Sequence, residues 1–116
     1  MKKLPVAIIV SLLAAPFGAW SAGEMHDHHA MSPAQKSYQQ GMTKMHDDMM
    51  KGLQEQDADV AFAKGMIAHH QGAIEMAKTE LQYGKDPEMR KLAEQIIAAQ
   101  QPEIDRMQGW LKKTAK

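Results

Sequence analysis

Cysteine is absent from the 116 residues. That excludes a disulfide framework, so packing, an oligomer or a metal must hold so small a fold together. It also suits an oxidising envelope compartment, where a thiolate ligand would be prone to oxidation. Charge of one sign is lacking as well. The 14 Lys and Arg balance 14 Asp and Glu, and no basic surface invites nucleic acid. No stretch alternates with period two, which leaves no strand and no Gly-rich phosphate loop following one. The zinc-peptidase sequence His-Glu-x-x-His does not occur, nor does the Glu-x-x-His pair of di-iron carboxylate bundles. Past the N-terminal region only Ser32 and Ser37 remain as serine nucleophiles, without a positioned base. The chain reads as one small domain and not as an enzyme.

Long hydrophobic runs are missing with one exception. Lys2 and Lys3 precede the apolar run Leu4–Ala15, and Pro16, Gly18 and small residues follow it. This is the layout of a secretory signal peptide. It is too short and too broken by Pro and Gly for a bilayer span of about 20 residues. The expected organisation is a signal peptide over 1–22, cleaved between Ala19 and Glu24, a flexible His/Met-rich tail over 23–31, and a helical domain over 32–116. Cleavage removes Lys2 and Lys3 and leaves 12 basic against 14 acidic residues. The product is expected in the periplasm, off the membrane. Its tail carries Met25, His26, His28, His29 and Met31 without apolar periodicity. If Glu24 became the first residue, its amine, two backbone amides and His26 would suit square-planar Cu(II). Otherwise these His are incidental to a solvated tail.

Helix punctuation is clear in the rest. Ser32-Pro33 is a helix start, with Ser as N-cap and Pro at the first position, and predicts a helix over 33–54. Asp57 caps a second helix that runs to Tyr83 and stops at Gly84. Asp86-Pro87 repeats the start signal for a third helix reaching roughly Lys112, with Pro102 expected to kink or split it near Gln100. Its apolar stripe includes Met89, Leu92, Ile96, Ile104, Met107 and Leu111. Short connections make the helices antiparallel neighbours in an all-α three-helix bundle.

Methionine is plentiful, at 11 residues. On the second helix, Met66, His69, His70, Ala73 and Met76 fall within one 120° arc at about 100° per residue. Leu or Ile would normally fill such an arc. Here it holds imidazoles and thioethers, donors to soft or borderline metals, at three- and four-residue spacings that let Met66 and one His share an ion. Met76 lies two turns from His69 and serves a second ion or the core. On the first helix Met42, Met45, His46 and Met49 repeat this logic over about 100° of arc. Met is also an ordinary core residue, which accounts for Met89 and Met107. If the two helices pack face to face, thioethers of one meet imidazoles of the other. Thioether favours Cu(I), or its mimic Ag(I), over Zn(II), and binds without losing a proton. Gln100 and Glu103 interrupt the third helix's apolar face, and either orient the imidazoles or are solvated near Pro102. Trp110 reads as packing at the bundle end.

The segment Met66-Ile67-Ala68-His69-His70-Gln71-Gly72-Ala73-Ile74-Glu75-Met76-Ala77 closely resembles the signature of the CopM-type periplasmic metallochaperones, a family of ferritin-like helical proteins. Ile96–Ile104, with its Gln100-Gln101-Pro102-Glu103, and Met107-Gln108-Gly109-Trp110-Leu111 extend the resemblance over roughly residues 38–111. It implies a secreted, ferritin-like helical protein that binds copper, and silver, and contributes to metal resistance. Some relatives carry two His-His motifs. This chain has one, with the Met42–Met49 cluster in the place of an earlier half.

The leading expectation is therefore a periplasmic copper-binding protein, a metallochaperone or a sequestering protein, that handles Cu(I) and exchanges it with a periplasmic copper-transport or efflux protein. Thioether ligation without thiolate suits release better than storage. The alternative is a helical interaction module whose Met-rich face binds another protein, a second copy of the chain included, with metal incidental.

Overall fold

Capping chemistry sets the three helix starts. The Ser32 hydroxyl accepts from the Gln35 N–H, and the Gln35 side chain accepts from the Ser32 N–H, a reciprocal capping box with Pro33 next in line. Asp57 accepts from the Val60 N–H at 2.9 Å, and Asp86 from the Met89 N–H at 2.9 Å. The computed structural model, which describes residues 30–115, accordingly contains α1 (Pro33–Gly52), α2 (Ala58–Tyr83) and α3 (Pro87–Thr114). Among the described residues there is no strand, and the fold is an all-α three-helix bundle. The segment expected to be a signal peptide and the tail up to His29 lie outside the described residues.

Pro102 does not split α3, and α2 stops at Gly84 as expected, though not through a left-handed turn. Pro102 is exposed, two residues from buried Ile104 and so on the opposite side of the helix. The carbonyl it leaves without a donor belongs to Ala98, an exposed residue within reach of solvent. At the end of α2, Gly84 is not a left-handed cap, since its φ is −72°. The end is instead held from α3. Arg90 Nη1 donates to the carbonyls of Leu81 at 2.7 Å and Gly84 at 3.0 Å, serving oxygens that the last turn leaves unpaired.

α2 is the middle helix. Toward α1 it turns Gly65, Ala68, Gly72 and Thr79, which meet α1 at a close interface and an adjoining cleft. Buried Ala63, Ile74 and Ala77 share the stripe of His70, which reaches Glu103 of α3. At about 100° per residue these two sets lie on opposite sides of α2, and no Cα of α1 comes within 8 Å of one of α3. The bundle is thus a single layer. So thin a layer has little interior. Its buried apolar side chains are Ala63, Ala68, Ile74, Ala77, Ala93 and Ile104, none of them aromatic.

Candidate metal centre

Glycine sets the register of α1 on α2. A Cβ on Gly52 would lie 2.9 Å from the backbone nitrogen of Gly65, and one on Gly72 would lie 2.3 Å from Met45 Sδ. Further along, the Ser37 and Thr79 hydroxyls bond at 2.7 Å. Thr79 donates to the Glu75 carbonyl at 3.1 Å, so Ser37 is the donor to Thr79. These pairings put Met49 level with His69 and Met42 level with Met76. At 100° per residue both pairs fall on the side of the layer away from the cleft, which Gln40, Lys44, Gln71 and Glu75 line.

On the other side of α2, His70 is 6% exposed and its Nε2 pairs with Glu103 Oε2. A carboxylate accepts, so Nε2 carries a proton, and in the neutral imidazole this leaves the lone pair on Nδ1. That Nδ1 is buried without a partner, as is Gln100 Oε1 one turn before Glu103. An unpaired buried polar atom costs about 1–3 kcal/mol, and a metal ion on Nδ1 would complete the carboxylate–imidazole–metal relay seen where histidines ligate. The His70–Glu103 register also brings half-buried Met66, one turn before His70, level with half-buried Met107, one turn after Glu103. His69 is exposed. Its ring centroid lies 6.1 Å from that of His70, with the planes at 64°.

The arc expected to act as one surface is therefore divided. His70 turns into the α2–α3 interface, His69 and Met76 stay exposed, and Met66 is half-buried between them. On α1, Met45 lays its sulfur over Gly72, Met49 is half-buried beside the level of His69, and Met42 is 48% exposed. His46 is exposed further round the outside of α1. Glu103, left open between orienting an imidazole and being solvated, orients His70. Met107 was assigned to packing alone, because its place opposite Met66 follows only from the helix register. Arg90 carried no sequence signal, since its partners are backbone carbonyls.

The donors present are imidazole nitrogens and thioether sulfurs, a set suited to a soft monovalent ion. Among the described residues no three His, Asp or Glu side chains converge, so the ligand cage that zinc prefers is not formed by these side chains.

A family model described as Domain of unknown function (DUF305) matches residues 9–111. The chain is also 43% identical over 53 residues to the Uncharacterized protein L153 of Acanthamoeba polyphaga mimivirus, a match covering 46% of this chain and 35% of that protein. The matched segment thus spans about a third of that relative's length.

Proposed function

We propose that this chain, which belongs to the DUF305 family, is a CopM-type periplasmic protein that binds copper as Cu(I), with Ag(I) as a substitute, and sequesters it or passes it on. The observation that carries the reading is His70, whose Nε2 is held by Glu103 while Nδ1 is buried with no partner. His69 supports it. Imidazole binds a metal through a nitrogen at the ring's edge, at about 2.0–2.1 Å in the case of zinc, and a centroid separation of 6.1 Å is the scale at which two rings share one ion. Met66 and Met107 flank His70, and Met49 stands level with His69, so thioether sulfur is at hand for either ring. Without thiolate the ion is held softly enough to leave, which suits delivery to a periplasmic transport or efflux partner.

Anaerobic titration with Cu(I) against a competing chelator tests this. Wild type is expected to compete. His69→Ala combined with His70→Ala is expected to lose affinity by about 10–100-fold or more, with helical content unchanged in the metal-free protein. No competition by wild type overturns the reading, and unchanged affinity in the double variant removes the His pair from it.

A further inference from the structure

A single layer of helices has two open faces, and here they differ in kind. The cleft side presents Lys44, Gln71, Glu75 and, further along α2, Lys64 and Lys78. The opposite side presents Met42 of α1, Phe62 and Met76 of α2, and Leu92 and Trp110 of α3, each 38–64% exposed. The right-handed rotation of about 100° per residue puts these five on one side, along with Glu103 at the rim of the α2–α3 interface. Of the other exposed large apolar residues on the three helices, Met89 lies on this side too, Tyr83 closes the end of α2, and Met50 stands apart, on the outer side of α1.

The area is that of a stable interface. Helices of 20–28 residues are about 30–40 Å long, and three at 8–10 Å spacing span about 25 Å. The face thus covers on the order of 800–1,000 Å², close to the roughly 800 Å² that each partner buries in a standard complex. Charge selects the occupant. No Lys lies on the helical part of this face, and Arg106 stands at its margin, while helices that rest on anionic bilayers put Lys and Arg around their apolar side. The ionisable groups within it are His69, Glu80 and Glu103, with His46, Glu88 and Lys113 at its margins beside Arg106, so two copies meet there without facing rows of like charge.

We infer that this face is covered by a second copy of the chain, two layers stacking about a two-fold axis into a six-helix dimer. The central stripe Phe62–Met66–His69–Ala73–Met76 lies at the middle of the contact, and His69 and Met49 become buried. The dimer rests on the apolar face and not on metal, so it stands or falls separately from copper binding.

Sedimentation equilibrium of the metal-free protein, with and without residues 1–22, tests it. Both forms are expected to be dimers at micromolar concentration. Phe62→Glu with Met76→Glu is expected to weaken association at least a hundredfold while helical circular dichroism persists. Lys64→Glu, on the polar face, leaves the dimer intact. Because the chain lacks cysteine, Met76→Cys and Ala73→Cys serve as second variants. One of them is expected to cross-link on oxidation, and Lys64→Cys is not. A wild-type monomer at 100-fold higher concentration, a dimer untouched by the double glutamate variant, or a full chain that is monomeric until residues 1–22 are removed overturns the proposal. So does a monomer that pellets with neutral or anionic vesicles.

Discussion

The two interfaces of α2 are built on different terms. Against α1 the contact is one of shape. Gly52 and Gly65 bring backbones together, Gly72 takes the sulfur of Met45, and the polar groups of Ser37 and Thr79 satisfy each other. Against α3 the contact mixes Ala63, Ile74, Ala77, Ala93 and Ile104 with a buried imidazole, and among the described residues both buried side-chain atoms without partners are there. An interface that is purely structural has no reason to keep such atoms, since each costs stability. The difference separates a joint that fixes register from one that, on the proposed reading, holds the metal.

The sharpest way to break that contrast is Gly52→Ala. Its new Cβ would press on backbone atoms of Lys64 and Gly65 that no rotamer change can move aside. Overpacking of this kind costs about 1–3 kcal/mol, which for a domain this small lowers Tm by roughly 5–15 °C. Cu(I) affinity per folded molecule is expected to be unchanged. A loss of affinity as large as that of the His pair would show that both interfaces carry the metal.

Glu103→Ala inverts the experiment. The Glu103 side chain is 64% exposed, so its removal opens His70 Nε2 to water and is expected to cost little thermal stability while Cu(I) affinity falls about 10–100-fold, as for other carboxylates that orient ligating imidazoles. Competition titration and melting on one preparation read both quantities. A large drop in Tm with intact affinity would make the His70–Glu103 pair a structural element.

A finer test divides the two α1 thioethers. Ag(I) at a hundredfold excess over Kd is expected to stabilise the folded state by about 2.7 kcal/mol. Met49→Leu should shrink that shift and Met45→Leu should not, because Met49 stands level with His69 while Met45 spends its sulfur on Gly72. Leu keeps either site roughly filled. Equal shifts for wild type and Met49→Leu would leave α1 with packing alone.

The smallest effect belongs to the polar face. The hydrogen bond from Lys44 holds the Asp48 carboxyl below its ordinary value, against the opposing pull of desolvation and with help from the Lys44 charge. A depressed folded value means that the contribution is present at neutral pH and is lost as pH falls through it. Both groups are at the surface and screened, so Lys44→Ala is expected to move Tm at pH 7 by less than about 1 °C. A larger change, or one that grows in acid, would contradict this sign.

The elements themselves were legible because each helix start is written in local chemistry: Ser32-Pro33, Asp57 and Asp86-Pro87 act within four residues of themselves. The His pair stood out for a related reason, as imidazoles on an arc that packing alone would fill with Leu. What was not legible depends on distance in the fold. That His69 and His70 part company requires knowing that α1 and α3 take opposite sides of α2. The two small-residue stripes on α2, Gly65–Ala68–Gly72 and Ala63–Ile74–Ala77, contain that information once read as two faces rather than one. The Arg90 clamp on Leu81 and Gly84 has no such trace. Pro102 does not split α3, and the carbonyl it frees belongs to exposed Ala98.

Because α1 and α3 share no contact, the molecule is two helical hairpins that hold one helix in common. Each hairpin closes a short loop, so neither waits for distant chain to arrive, and folding should be fast. Release of α1 also need not disturb α3. Amide protons of α1 should then exchange with solvent through openings smaller than global unfolding, while those around His70 and Ile104 wait for the whole chain to open.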